Sequence, residues 1–81
     1  MYVITKDQKD IVRKAIAKSV SAYRKSIGLN QKQFAEKCCI APSMVCNVEK
    51  ALRVPELFTL IRLAKIMGTT IDEMIQFESI R

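Results

Sequence analysis

Apolar residues recur along most of the chain at spacings of three and four, the period of a helix with one buried face. No stretch alternates as a strand would. Val12, Ile16, Val20, Tyr23 and Ile27 fall four, four, three and four apart and predict a helix over about residues 5–26. Thr5 and Gln8 are spaced as a capping box, in which each side chain satisfies a free amide donor of the other, and Gly28 stops the helix. Asn30 reads as the N-cap of a short second helix, residues 31–38, with Phe34, Ala35 and Cys38 facing inward. Pro42 suits a first helical position and biases Ala41 away from helix, so a third helix runs over 42–50 with Val45, Val48 and Leu52 as its inner side. After Pro55, the residues Leu57, Leu60, Ile61, Ala64 and Met67 make a fourth helix that Gly68 ends. Thr70-Ile71-Asp72-Glu73 then opens a short fifth helix through Ile75. Five helices with short joints predict a compact all-α domain.

Composition sharpens this picture. At 81 residues, 49% apolar and 27% charged, the chain is one ordinary globular domain. A domain of this size hides only about 60–65% of the surface its unfolded chain exposes, which leaves little room for a deep active site and argues against an enzyme. Fourteen Lys and Arg against eight Asp and Glu give a net charge of +6, and there is no His. Between Ile11 and Ala35 lie Arg13, Lys14, Lys18, Arg24, Lys25 and Lys32 with no acid. Such a half attracts a polyanion, unless it is simply a solvated face. The opening residues carry no apolar leader core, and nothing approaches a membrane span, so a cytoplasmic protein is expected. Cys38, Cys39 and Cys46 are odd in number and clustered, unlike a secreted disulfide framework. Without His they make an incomplete zinc set and lack a base to activate a thiol, so neither a metal nor a cofactor is expected. Cys38 falls on the apolar stripe and reads as core, while Cys46 on the outer side of the third helix leaves oxidation sensitivity open.

The informative stretch runs from Arg24 to Pro55. Two short helices separated by so few residues must cross steeply, and Ala35 at the midpoint of the first lets their backbones approach. That is a helix-turn-helix, in which the second helix projects its outer face into the DNA major groove. The segments Arg24-Lys25-Ser26-Ile27-Gly28-Leu29-Asn30-Gln31, Phe34-Ala35-Glu36-Lys37, Val45-Cys46-Asn47-Val48-Glu49, Pro55 and Leu63 to Glu73 resemble the phage-repressor/Cro-type (XRE) family. The resemblance covers roughly residues 16–75 and implies a lambda-repressor-like five-helix fold. Residues 1–15 then extend the first helix and 76–81 form a short tail of a single 1–81 domain. Two positions depart from the family, which usually has glycine where this chain has Cys39 and Ala51.

The resemblance also assigns roles. Gln31 matches the family's clamp on the DNA backbone, a solvated helix-start Gln being the alternative. Positions matching Pro42, Ser43 and Asn47 face the bases, with Met44 beside them. Asn bonds an adenine edge, Ser serves either sense, and Met or Pro touches a thymine methyl. This set is less polar than many, so DNA shape is expected to add to specificity. Lys32, Lys50 and Arg53 suit phosphates, and Arg24 and Glu49 match a pair that joins the two helices internally.

The function expected is a sequence-specific transcriptional regulator acting on double-stranded DNA, a repressor by preference. It would work as a homodimer on a two-fold operator and sit on the nucleoid when bound. The upstream extension, or residues 76–81 with Phe77 and Ile80, would supply the dimer surface. An antitoxin-type interaction module that also binds its own promoter is the alternative. A membrane-surface role fits less well, because the first helix's apolar stripe is better explained as core. No second domain for a small-molecule ligand is expected.

Overall fold

In the computed structural model, residues 5–75 are described, and they form five helices in the order expected. Helix α1 is Lys6–Ser26, α2 Gln31–Cys38, α3 Pro42–Glu49, α4 Leu57–Ile66 and α5 Ile71–Ile75. The tail 76–81, with Phe77 and Ile80, lies outside the described residues, as do residues 1–4.

Each start has a local cause. Thr5 accepts from the Gln8 amide while Gln8 accepts from the Thr5 amide, closing the box that begins α1. Asn30 and Gln33 do the same for α2, a reciprocal box beyond the single cap expected there. Pro42 opens α3, and Glu56 caps α4 through the Thr59 amide at 2.8 Å. Thr70 accepts from the Glu73 amide at the start of α5.

The first four helices share one ending. After each, a residue in the left-handed conformation turns the chain: Gly28 (φ 70°), Cys39 (φ 57°), Ala51 (φ 59°) and Gly68 (φ 68°). The amide of the residue beyond each bonds back to the carbonyl five before it, Leu29 to Arg24, Ile40 to Ala35, Leu52 to Asn47 and Thr69 to Ala64. This is the Schellman closure, and glycine favours it because it has no Cβ to clash. Both glycines of the chain serve it. At Cys39 and Ala51 a Cβ is carried through the same turn.

The core gathers Ile16, Val20, Phe34, Ala35, Cys38, Val45, Val48, Leu60, Leu63, Ala64 and Met74. Phe34 stands at its centre with no exposed surface, its ring tilted against Tyr23 at 6.1 Å between centroids. Helix α3 packs on both α1 and α2, while α5 closes the domain against α1 and α4. Ser19 donates to the Met74 carbonyl at 3.0 Å and the Tyr23 hydroxyl to the Ile66 carbonyl at 3.1 Å, tying α1 to the ends of α5 and α4. No polar or charged residue among those described is fully buried, so burial of apolar surface dominates the stabilisation.

Several residues depart from the expected stripes, among them Leu63, outside the stripe expected for α4 yet 1% exposed and in the core, where Ile61 is not. Leu52 and Leu57, expected inside, are 69% and 60% exposed. The left-handed turn at Ala51 swings Leu52 off the face that carries Val45 and Val48, and Leu57 sits in the first turn of α4, before that helix reaches the core. Ile27 caps α1 beyond its last full turn and is 38% exposed. Met44, expected on the outer side of α3, packs against the core instead, because it lies four residues before Val48 and flanks the buried side.

Candidate nucleic-acid interface

Helix α3 is short, and its inner side is set by Val45 and Val48, which are almost completely buried. At 3.6 residues per turn, positions 43, 47 and 50 then fall opposite that side. Ser43 and Lys50 are exposed and Asn47 is half-buried. Pro42, exposed, stands at the helix start beside Ser43, and Cys46 is half-buried on the flank. No bond to the Asn47 side-chain amide is present among the described residues, which leaves both its donor and its acceptor ends for an outside partner. The helix start has no side-chain cap. Of the residues expected to face bases, Ser43 and Asn47 therefore share the outward face of α3 with Pro42 exposed at its start, and Met44 is separated from them by its core contact.

The outward stance of α3 is held from behind. Arg24 on α1 grips Glu49 on α3 with two bonds, Nε to Oε2 at 2.6 Å and Nη2 to Oε1 at 3.0 Å. Its remaining Nη1 donates to the Leu29 carbonyl at 2.8 Å, in the turn that leads into α2. Gln31, the first residue of α2, donates through Nε2 to Glu49 Oε1 at 3.2 Å. One carboxylate thus joins three elements. The Arg24 and Glu49 side chains are only 13% and 8% exposed, so the pair works in a medium less screening than water. Burial pushes the Glu49 carboxyl upward, but hydrogen bonds from Arg24 and Gln31 and the charges of Arg24 and Lys25 outweigh it and hold the group below the ordinary carboxylate range. The bond to Glu49 raises Arg24 in turn, against its own desolvation.

Gln31 keeps a half-buried place, with Lys32 exposed beside it at the start of α2. Its amide nitrogen has two hydrogens and one bond to Glu49, so a second donor remains on a side chain that is already fixed. Lys50 and Arg53 are exposed just past α3. Sequence reasoning missed Arg62 on α4. Its Nη1 lies 3.4 Å from the Cys38 carbonyl and 3.5 Å from that of Cys39, at the negative end of α2. A basic residue in the middle of α4 carries no local signal for a contact 23 residues away.

The cysteines do not come together as a site. Cys38 is buried in the core, which raises its thiol above the ordinary range, while Cys39 is exposed and Cys46 half-buried. Among the described residues no His, Cys, Asp and Glu group could hold a metal ion, and no helix is long and apolar enough to cross a membrane.

Two short helices packed on one another across a tight left-handed turn, the second with an outward face and locked by an internal ion pair, define a helix-turn-helix domain. The Helix-turn-helix family pattern matches residues 20–74, two thirds of the chain, and the protein belongs to this family in its XRE form. Its fold is similar to that of a hypothetical transcription factor, NHTF, from Neisseria, in a crystal structure 18% identical in sequence. The TM-score is 0.74, and the match covers 98% of this chain and 88% of that one. No curated protein matches the chain.

Proposed function

We propose that the protein is a sequence-specific regulator of transcription that binds double-stranded DNA, with residues 1–81 acting as one domain and α3 lying in the major groove. The observation that carries this reading is the outward face of α3, where Ser43 and Asn47 stand clear of a helix anchored by Val45, Val48 and the Arg24–Glu49 pair, with Pro42 exposed at its start. Asn47 bonds an adenine edge bidentately, Ser43 bonds a neighbouring base, and Pro42 packs on a thymine methyl. Gln31 donates its second amide hydrogen to a phosphate, assisted by the positive end of α2. Lys32, Lys50 and Arg53 neutralise flanking phosphates, which makes binding steeply salt-dependent. The protein represses by occupying a promoter as a homodimer on a two-fold operator, in the compartment where the nucleoid lies.

Selection of bound sequences from random duplexes tests this reading, followed by gel shifts of the selected duplex at two salt concentrations. The expected result is a short two-fold site bound at least about a thousandfold more tightly than random duplex, the low end for specific regulators. Equal affinity for all duplexes, or none at moderate salt, refutes it.

A further inference from the structure

The core does not account for every apolar residue of α3. Val45 and Val48 are buried, and Met44 packs against the core beside them. Cys46 does neither. It is half-buried yet has no part in the apolar cluster, and its thiol makes no disulfide and no hydrogen bond among the described residues. Its direction follows from the buried pair, at about 100° of rotation per residue. Ser43 and Lys50 lie opposite the midline of Val45 and Val48, within about 10° of the outward line. Asn47 falls about 50° to one side of that line and Cys46 about 50° to the other. The thiol therefore belongs to the outward face as much as the Asn47 amide does.

The two flanks of that face differ in chemistry. Residues four apart stand one above the other on a helix, so Ser43 lines up with Asn47 and Pro42 with Cys46. The first pair presents a hydroxyl and an amide. The second presents a ring without an amide hydrogen and a thiol, which behaves as a small hydrophobe with only a weak donor. A strip of this kind gains nothing from hydrogen-bonding groups on base edges and leaves any such group it covers unsatisfied. The apolar group that the major groove of unmodified DNA offers is the 5-methyl of thymine.

We infer that Cys46 is a specificity-determining residue, which packs its sulfur beside the Pro42 ring onto a thymine methyl while Ser43 and Asn47 read polar edges from the opposite flank. The inference rests on the regulator reading and adds to it one residue and the group that residue selects. Cytosine is disfavoured at this position twice over, because it lacks the methyl and sets its N4 amino donor against an apolar strip.

Two measurements on the full chain and its selected duplex test this. In the first, each thymine of the half-site is replaced in turn by deoxyuridine, which removes the methyl and leaves pairing and every hydrogen-bonding group unchanged. Wild type should bind about fourfold more weakly at one thymine or more, the value of one buried methyl group. In Cys46→Ser, which exchanges the sulfur for a hydroxyl of similar shape, the same replacement should weaken binding by about twofold at most. Cys39→Ser, the same exchange in the turn, should keep the full loss, and circular dichroism melts check that both variants fold. The second measurement needs no variant. Wild type is alkylated with iodoacetamide, and each cysteine is followed by mass spectrometry. The selected duplex at about ten times its Kd should slow alkylation of Cys46 about tenfold, and random duplex at the same concentration should not.

A half-site in which no thymine responds to uracil overturns the inference. So does a loss that persists in full in a folded Cys46→Ser, or a Cys46 alkylated equally fast with and without the selected duplex. Each of these leaves the regulator reading standing. Failure to select any duplex refutes that reading, and this inference with it.

Discussion

Replacing Cys39 by glycine removes one Cβ from a turn whose backbone stays the same. Cys39 sits at φ 57° and ψ 43°, where the Cβ of an L-residue crowds its own carbonyl at a cost of about 1–2 kcal/mol relative to glycine. Its side chain is exposed, so no buried surface is lost with it. The opposing effect lies in the unfolded chain, where glycine's extra freedom removes about 0.4–1 kcal/mol. The net gain is then roughly 0.5–1 kcal/mol, which in a domain of this size raises the melting temperature by roughly 2–8 °C. Thermal melts followed by circular dichroism measure it, with Cys39→Ala as control. Alanine keeps the Cβ and the strain, so that variant should melt with wild type, and any gain is then separated from thiol chemistry. Ala51→Gly tests the second turn, with a smaller gain because the half-buried Ala51 methyl is lost. An unchanged or lower melting temperature for Cys39→Gly, or an equal gain for Cys39→Ala, refutes the reasoning.

Three further outcomes are expected. Glu49→Ala, which leaves the Arg24 guanidinium without its partner, should cost about 3–5 kcal/mol in urea unfolding, and a loss below 1 kcal/mol contradicts a shared anchor. The same carboxylate makes stability fall in acid. Its folded value lies below that of the unfolded chain, so its contribution is whole above the ordinary glutamate range, near pH 4.3, and disappears as pH drops through the depressed value; Glu49→Gln should be weaker at neutral pH and lose less on acidification. On DNA, Asn47→Ala should cost about 1–3 kcal/mol and relax preference at one base position, whereas Lys50→Ala should weaken all sequences alike and shallow the salt slope by about one counterion; the reverse pattern exchanges their roles.

The helices were legible because each element states its period and its ends locally. Thr5 with Gln8, Asn30 at a helix start, Pro42, Gly28 and Gly68 all act within a few residues of their own position, and the five helices lie where these signals put them. The left-handed turns at Cys39 and Ala51 were foreshadowed only by positions where the family prefers glycine. What the pattern could not carry is tertiary. Leu52 and Leu57 look like core because periodicity records spacing and not which turn of a helix finally meets a neighbour. Met44 looks outward for the same reason, although its four-residue distance from Val48 draws it onto the core. Arg62 on the Cys38 carbonyl, and the Tyr23 and Ser19 hydroxyls on the ends of α4 and α5, depend on which helices pack side by side. The Gln31 bond to Glu49 likewise appears only once α2 and α3 cross.

The claim at the centre of this account is that the outer face of α3 touches base edges in the major groove. Substituting carbon for the purine N7, one position at a time along the selected duplex, removes a major-groove acceptor and leaves pairing and the minor groove intact. The account predicts a loss of roughly tenfold, ~1.4 kcal/mol, at one or more purines of each half-site, and no further loss there once Asn47 or Ser43 is replaced by alanine. Full affinity at every N7-substituted purine, together with loss on removing the minor-groove amino group of guanine, would contradict it.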